Sequence, residues 1–453
     1  MHLDRRRLVA LAAAGSLPLA AAAPAASAGA SPSALGLDAT QFGLRPGNPD
    51  DQSRILQRAI DEAARTRSPL AIPPGVYRVG DLKLPSGARL AGSPGVTRLL
   101  LSQGACLAAC LGGEHVSLSG LLIDGGGRPL PERSGLLQFE NCRSLKIVDC
   151  EIRASGRNGI VCIGSTGEIA NTAVNETADV AIHLLDCNMV IARNRIESAG
   201  NNGITVWRST AAEDGSMVVE NHIARIGNRL GGSGQYGNAV NVFRAASVLV
   251  RNNRIADCAF SAIRGNAASN LHITGNIVSA VREVALYAEF GFEGAVISDN
   301  SVDGAAIGVA VTNFNEGGRL AVVSGNIVRN LLPKRPAGTD PGDSAGIGIS
   351  VEADSTVSGN IVENAPAAGI SLGWGQYLRD IAATGNVVRK ADIGIAVSVV
   401  PGAGTAVIAN NMISETRRGA IVGMAQARPV TGDLSVAGRE QYAHITLSGN
   451  RVR

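Results

Sequence analysis

The chain of 453 residues carries 41 Lys and Arg against 38 Asp and Glu, so its formal net charge is only +3 and nucleic acid is not indicated as a partner. It contains 56 glycines and only 3% aromatic residues, which argues against a mainly helical protein because glycine destabilises helix interiors. The composition favours many short strands joined by tight turns, in one long repetitive domain or two to three average ones.

The first 28 residues have the pattern of an export signal. Arg5 and Arg6 precede apolar residues, an Ala- and Leu-rich stretch follows, and residues 26–28 read Ala-Ser-Ala, a plausible cleavage site. This segment resembles a twin-arginine (Tat) signal, with a Sec signal or a membrane anchor as the alternative. The resemblance implies the Tat translocase as a partner during export and a periplasmic or secreted location.

No later segment contains 18 consecutive apolar residues, so we expect no stable membrane insertion after signal removal. Tat substrates fold before they cross the membrane, and the cysteines would therefore meet a reducing cytoplasm during folding. Their number is odd and no C-x-x-C occurs, which predicts buried core thiols rather than a zinc site or a disulfide framework. Whether any of them pair is left open: Cys106, Cys110, Cys142, Cys150, Cys162, Cys187 and Cys258. No metal and no cofactor is predicted.

Residues 29–100 are interpreted as an N-terminal cap followed by the first coils of a repeat. The stretch DDQSRILQRAIDEA at 50–63 predicts a short amphipathic helix, with Asp50 or Asp51 as N-cap and an apolar side that includes Leu56 and Ile60. Such a helix covers the exposed edge of a stack of parallel strands.

Residues 101–453 are dominated by a repeated asparagine. SGNIV occurs at 324–328 and again at 358–362, and equivalent asparagines recur at intervals from 23 to 39 residues. Short runs such as GITVW at 203–207 lie between them and alternate apolar with other residues, as strands with one buried face do. Two or three strands per unit predict the coils of a parallel β-helix. In its turns we expect the stacked asparagines to adopt a bridging or left-handed conformation and to form a hydrogen-bonded ladder. The predicted ladder is Asn194, Asn221, Asn253, Asn276, Asn300, Asn326, Asn360, Asn386, Asn411 and Asn450, with degenerate earlier members at Leu121, Cys150 and Asn171.

The cap segment, IPPGVYRVGDLKLPSGARLAGS at 72–93 and the repeats together resemble the pectate-lyase-like superfamily of right-handed β-helices. A Tat signal joined to these repeats is also similar to twin-arginine-translocated repeat proteins whose function is uncharacterised. The resemblance implies an all-β solenoid, a single-stranded right-handed parallel β-helix of about twelve coils with a short N-terminal capping helix. It carries no reaction.

Equivalent positions of successive coils stack into columns, and in the middle coils two columns become polar and aromatic. Loops at 228–238 and 332–344 interrupt the turn before this strand, and we expect them to flank a trough that holds a few sugar units. The predicted catalytic residues are His183, Arg264, Tyr287 and Glu289, and the predicted substrate-binding residues are Trp207, Asn241, Phe243 and Arg244.

These residue types fit the cleavage of an acidic polysaccharide. For a lyase, Arg264 could neutralise a uronate carboxylate while His183 or Tyr287 acts as base or acid. A hydrolase needs two carboxylates, and Glu289 has partners to choose from in Asp186, Glu283 and Glu316. The aspartate and histidine motifs of polygalacturonases and the calcium-binding aspartates of pectate lyases are absent from the sequence.

The sequence therefore predicts an exported protein that binds an acidic envelope or extracellular polysaccharide, with cleavage by a lyase or a hydrolase as the finer hypothesis. Whether it is an enzyme is open at this point. The alternative is a non-catalytic periplasmic structural or protein-docking rod, in which the same side chains are ordinary surface residues. The oligomeric state is also left open.

Overall fold

A computed structural model describes residues 36–453, and these residues form one compact unit. The predicted export signal at residues 1–28 lies outside the described residues. No helix within residues 36–453 combines the length and the apolar character needed to cross a membrane.

The described chain winds into a right-handed parallel β-helix of about 14 turns, two more than expected from the sequence. Each complete turn contributes a strand to each of three faces. We call the strand that follows the ladder asparagine the first face, the next strand the second face, and the strand that leads into the following asparagine the third face. The predicted all-β solenoid is confirmed.

The strands are short on all three faces, and in the last turns one long strand serves the first and second faces together. The first-face strands are Gly75–Val79, Thr97–Leu101, Leu122–Asp124, Glu151–Ser155, Ala173–Thr177, Arg195–Ala199, His222–Ile226, Arg254–Cys258, Ile277–Val281, Ser301–Asp303, Ile327–Arg329 and Arg451–Val452. The shared strands are Ile361–Leu372, Val387–Ser398 and Met412–Ala425. The second-face strands are Leu82–Lys83, Ala108–Leu111, Gly135–Glu140, Asn158–Ile163, Val180–Leu185, Asn202–Glu213, Asn238–Ala246, Ile263–Asn266, Val284–Glu289, Ile307–Thr312 and Ile347–Val351. The third-face strands are Leu37–Asp38, Leu70–Ala71, Arg89–Ala91, Ser117–Ser119, Leu145–Val148, Thr166–Ala170, Asn188–Ala192, Met217–Val219, Leu249–Arg251, Leu271–Thr274, Glu293–Ser298, Arg319–Ser324, Ala353–Ser358, Arg379–Thr384, Ala406–Ala409 and Ile445–Ser448.

A helix at Ser53–Arg65 caps the first turn, as predicted, after a 3-10 helix at Ala39–Phe42. Its buried side consists of Leu56, Ala59, Ile60 and Ala63, spaced as one face of a helix requires. The N-cap residue is Gln52, so the expected Asp50 or Asp51 cap is wrong by one or two positions.

The Gln57 side chain closes the exposed edge of the first turn. Its amide nitrogen donates to the Lys83 carbonyl and its amide oxygen accepts from the Lys83 N–H, both at 2.8 Å. One glutamine thus replaces the neighbouring strand that the Lys83 backbone lacks, which satisfies an edge that would otherwise invite association.

The asparagine ladder is present and continuous from Asn194 to Asn450. At each step the Nδ2 and the backbone N–H of one asparagine donate to the Oδ1 of the next, as between Asn326 and Asn360 at 2.9 and 3.0 Å. Nδ2 also donates to a carbonyl of the third face, which is Ile297 for Asn326 at 2.9 Å. The side chain two positions on, such as Val328, is fully buried.

The left-handed conformation belongs to the residue before the asparagine and not, as expected, to the asparagine itself. Gly325, Asp299 and Asn410 have φ values of 66, 58 and 56°, a region that glycine, aspartate and asparagine tolerate best. This explains why Gly, Asp or Asn so often precedes the ladder. In the two coils before Asn194 the ladder position is held by Thr172 and Cys150. The assignment of Asn171 was therefore wrong by one residue.

The last second-face strand is covered by a hairpin inside the final long interval. Arg428–Asp433 pairs antiparallel with Met412–Ala425, and the Asp433 carboxylate accepts from the backbone N–H groups of Ala420 and Ile421. A 3-10 helix follows at Arg439–Gln441. The seven cysteines are buried free thiols.

Candidate functional site

All eight predicted site residues lie on the second face. His183, Asn241, Arg264 and Tyr287 occupy one column, in which Thr205 stands between the first two, and each member pairs directly with the next coil. Trp207, Phe243, Asn266 and Glu289 form the second column. Both columns follow the predicted register up to Ala310 and Thr312. Beyond them the strand pattern predicts Gly348 beside Ala310, whereas in the structure Ser350 pairs with Ala310.

An aromatic group lies at the N-terminal end of these columns. The rings of His183 and Trp207 meet edge to face with centroids 5.3 Å apart, and Trp207 meets Phe243 in the same manner at 6.2 Å. The Nδ1 of His183 lies 2.6 Å from the Thr205 hydroxyl. Burial lowers the pKa of His183 to about 4, although Asp179 acts in the opposite direction, so the imidazole is neutral at physiological pH.

The loop 228–238 forms one wall beside this aromatic group. Asn241 Nδ2 donates to the carbonyls of Gly234 and Gln235 at 3.2 and 3.3 Å, and its Oδ1 accepts from Trp207 Nε1 at 3.1 Å. Asn202 and Asn238 bind the same two carbonyls of the loop at 2.9 Å. Asn241 is therefore fully engaged in holding the wall and the indole, with no group left for a ligand.

A pocket of about 240 Å³ opens between the aromatic side chains and this wall. The Asn266 amide donates to Glu289 Oε1 at 2.9 Å and turns its remaining atoms toward the pocket. Arg244 is exposed beyond the pocket, with its guanidinium 4.7 Å from the Phe243 ring centroid. The lining residues are Trp207, Gly234, Gln235, Asn241, Phe243 and Asn266.

A buried ion pair forms the next part of the columns. Arg264 donates from Nε and Nη2 to the two oxygens of Glu289 at 2.7 and 2.8 Å, and both residues are more than nine-tenths buried. The guanidinium also lies over the Tyr287 ring at 4.9 Å. Burial, with Glu289 adding to it, raises the pKa of Tyr287 to about 12.

Glu283 is a second buried carboxylate, and it connects both loops. It accepts from Ser233 of the loop 228–238 at 2.7 Å, from Ser261 at 3.0 Å, and from Arg335 of the loop 332–344 at 3.2 Å. Arg264 Nη1 lies 3.6 Å away. The expectation that the loops flank an open trough is wrong. A buried carboxylate needs donors, and both loops supply them to Glu283, next to the buried Arg264.

Sequence reasoning named Glu283 only as one of three partners for Glu289 and did not identify Arg335. The available signal was a glutamate directly before the apolar strand Val284–Glu289, together with serines and an arginine near the same turn of neighbouring coils that could donate to it. Those pairings join residues about 50 positions apart, which strand periodicity does not reveal. Within residues 36–453 no group of three or more His, Cys, Asp and Glu side chains is placed to hold a metal ion.

Comparison with solved structures finds the same architecture in proteins of low sequence identity. The N-terminal fragment of bacteriophage Phi29 gene product 12 aligns with a TM-score of 0.56 and 17% identity, over 86% of this chain and 68% of that one. PfbA, a surface adhesin of Streptococcus pneumoniae, aligns with a TM-score of 0.49 and 14% identity, over 84% and 90%. The A-module of the Azotobacter vinelandii mannuronan C-5 epimerase AlgE6 gives 0.41 and 14%, over 92% and 99%. At 17% identity the likeness to gene product 12 shows the fold alone.

No curated protein matches the sequence. The family described as right handed beta helix region matches residues 134–328 and 209–388, which together span more than half of the chain. These coils include the asparagine ladder from Asn194 to Asn386 and both columns of the second face. The chain is therefore a member of the right-handed β-helix family.

Proposed function

We propose that this protein is exported and binds an acidic polysaccharide through the pocket on its second face. The observation that carries the proposal is the pocket itself, in which two aromatic side chains face the Asn266 amide beside an exposed arginine. Aromatic rings pack on the apolar faces of sugars, and amides bond their hydroxyls. The volume of about 240 Å³ is below the roughly 300–1,000 Å³ of drug-sized ligand sites, so it suits one sugar unit.

Arg244 supports the acidic class of ligand. Its guanidinium stacks on Phe243 at the pocket rim and forms a hydrogen bond of 3.3 Å only to a carbonyl, that of Ser209. Among the described residues no carboxylate lies within ion-pair distance of Arg244. A stacked arginine with a free edge is well suited to binding a carboxylate in a fork.

Cleavage of the polysaccharide is a finer proposal, and it requires a change in the ion pair between Arg264 and Glu289. Arg264 and Glu289 neutralise each other, so either can act on a glycan only after their ion pair opens. His183 is neutral and could accept a proton, but its Nδ1 is bound to Thr205. In the arrangement described here we assign Arg264 and Glu289 to the support of Asn266 and the pocket floor.

Titration of the full-length protein with acidic and neutral oligosaccharides, followed by tryptophan fluorescence in a Trp374→Phe background that leaves Trp207 as the reporter, tests the proposal. We expect Arg244→Gln to weaken binding of an oligogalacturonate about tenfold, with little effect on a neutral glycan of equal length. Phe243→Ala should weaken both. The matched control is Arg251→Gln, because Arg251 is exposed on the third face.

The outcomes separate the competing functions. Equal loss in Arg251→Gln and Arg244→Gln, or no binding of any glycan, would contradict the proposal and favour the non-catalytic rod. Ultraviolet absorbance of an unsaturated uronate would identify elimination, and new reducing ends without that absorbance would identify hydrolysis.

A further inference from the structure

A stripe of exposed apolar side chains runs along the first face of the later coils. It occupies the position directly after each ladder asparagine, and neighbouring members pair in register from coil to coil. Five of its six members are apolar, Ser301 being the exception, and four of the apolar members expose 43–59% of their surface. The stripe is Ile277, Ser301, Ile327, Ile361, Val387 and Met412.

The fold does not require apolar residues at this position. In the three preceding coils the same position holds Arg195, His222 and Arg254, and the buried residue of the motif lies one place further on. Five strand spacings give the stripe a length of roughly 24 Å. Exposed apolar side chains aligned over successive coils in this way mark an interaction site rather than a random scatter of surface residues.

Two polar columns border the stripe. On one side are small hydroxyl residues, from Thr274 through Ser324 to Thr384, which permit close approach. On the other side the charges alternate in sign, and neighbours pair within the chain, Arg329 with Asp303 at 2.9 Å and Arg389 with Glu363 at 3.6 Å. The complete column is Ser279, Asp303, Arg329, Glu363, Arg389 and Ser414.

This charge column is complementary to itself when it is reversed. Consider two copies related by a two-fold axis that lies in the interface and is perpendicular to the stripe. If the axis passes between the coils of Ile327 and Ile361, the charge column of one copy lies opposite the charge column of the other. Arg329 then faces the second copy's Glu363, and Asp303 faces its Arg389. The two serines at the ends of the charge column meet each other. Along the stripe, Ile327 faces Ile361 and Ile277 faces Met412.

We propose that the stripe is the contact surface of an antiparallel dimer formed by two copies of this chain. The two-fold symmetry makes the interface isologous, which is the commonest arrangement of homodimers. A parallel arrangement would place the charge column against the hydroxyl column and lose the match. The alternating charges therefore select both the partner and its direction.

The apolar stripe supplies the affinity and the charges supply the register. Exposed ion pairs contribute little to association, whereas burying the side chains of the stripe removes apolar surface from water. The contact is at the small end of specific interfaces, so dimerisation is expected in the micromolar range and in dynamic exchange with the monomer.

Sedimentation velocity of the full-length protein over a range of concentrations tests the proposal. We expect the wild type to shift from monomer to dimer between about 1 and 100 μM, a range that corresponds to a weak standard free energy of association. Ile327→Lys should raise the dissociation constant at least tenfold. Leu111→Lys is the matched control, because Leu111 is also an exposed apolar residue but lies on the second face. Circular dichroism shows that each variant is folded.

A charge exchange tests the direction of the two copies. Arg329→Glu opposes Glu363 of the second copy and should weaken dimerisation, while the double variant Arg329→Glu and Glu363→Arg restores the opposite pair and should recover it. A wild type that stays monomeric at 100 μM, an Ile327→Lys variant that dimerises normally, or a double variant no better than the single one would each overturn the proposal.

Discussion

At the scale of single residues, the environment of His183 sets a proton equilibrium that can be measured. Its folded pKa of about 4, caused by burial, lies below the ordinary value of about 6.5 in an unfolded chain. Between these values the unfolded chain binds a proton that the folded chain does not bind. The contribution of His183 to stability is therefore complete above pH 6.5 and is lost as the pH falls toward 4.

This predicts a weaker pH dependence for a variant without the imidazole. In urea unfolding at pH 7 and pH 5, the midpoint of His183→Gln should fall less than that of the wild type, because glutamine does not titrate. His272→Gln is the control, since His272 is exposed on the third face. Its urea midpoint should fall between pH 7 and pH 5 as much as that of the wild type. If the urea midpoints of His183→Gln and the wild type fell equally between pH 7 and pH 5, the imidazole would not be buried and neutral in the folded protein.

At the scale of elements, the two loops on the second face depend on Glu283. Ser233, Ser261 and Arg335 all donate to this carboxylate, and it is almost completely buried. Removing one partner of a buried ion pair costs about 3–5 kcal/mol, because the remaining charge loses its compensation. The loops 228–238 and 332–344 should therefore open together when Glu283 is neutralised.

Limited trypsin digestion measures this opening, since Arg229 and Lys334 lie in the two loops. We expect Glu283→Gln to be cut at least ten times faster after both residues than the wild type, and to lose affinity for the glycan because Gly234 and Gln235 line the pocket. Glu316→Gln, in an exposed loop, is the control. If only one loop became sensitive, Glu283 would not be their common anchor.

At the scale of the whole molecule, we expect a substitution in the asparagine ladder to destabilise the neighbouring coils and not the whole β-helix. Each coil contacts its neighbours, so a repeat protein gains stability from nearest-neighbour terms. Asn326→Ala removes the acceptor of the Asn300 N–H and Nδ2 and the donor to the Ile297 carbonyl. Buried groups left without partners cost about 1–3 kcal/mol each, so we expect a local loss of about 3 kcal/mol.

Amide hydrogen exchange distinguishes a local effect from a global one. The Asn300 amide should exchange at least a hundred times faster in Asn326→Ala, a factor that corresponds to about 2.7 kcal/mol, while the Asn194 amide keeps its protection. Asn315→Ala, at an exposed loop position, should change neither. Uniform acceleration along the ladder would show that the β-helix unfolds as one unit.

The sequence by itself determined the architecture, because the fold is repetitive. Every coil solves the same packing problem, so the buried residue two places after the asparagine, the ladder and the register of the two columns recur and can be read from spacing. The same spacing brought His183, Trp207, Asn241, Arg264 and Tyr287 to one face. Three details were assigned to the wrong residue: the left-handed turn conformation to the asparagine, the N-cap to Asp50 or Asp51, and an early ladder position to Asn171.

The tertiary structure decided what that face exposes. Loops of irregular length leave no period in the sequence, and their course depends on side chains that meet across several coils, as Ser233 and Arg335 meet at Glu283. Their closure turned an expected open trough into a small pocket and a buried ion pair. A charged side chain can be buried only where a partner compensates the cost of removing it from water. Here the partners come from residues that are distant in the chain.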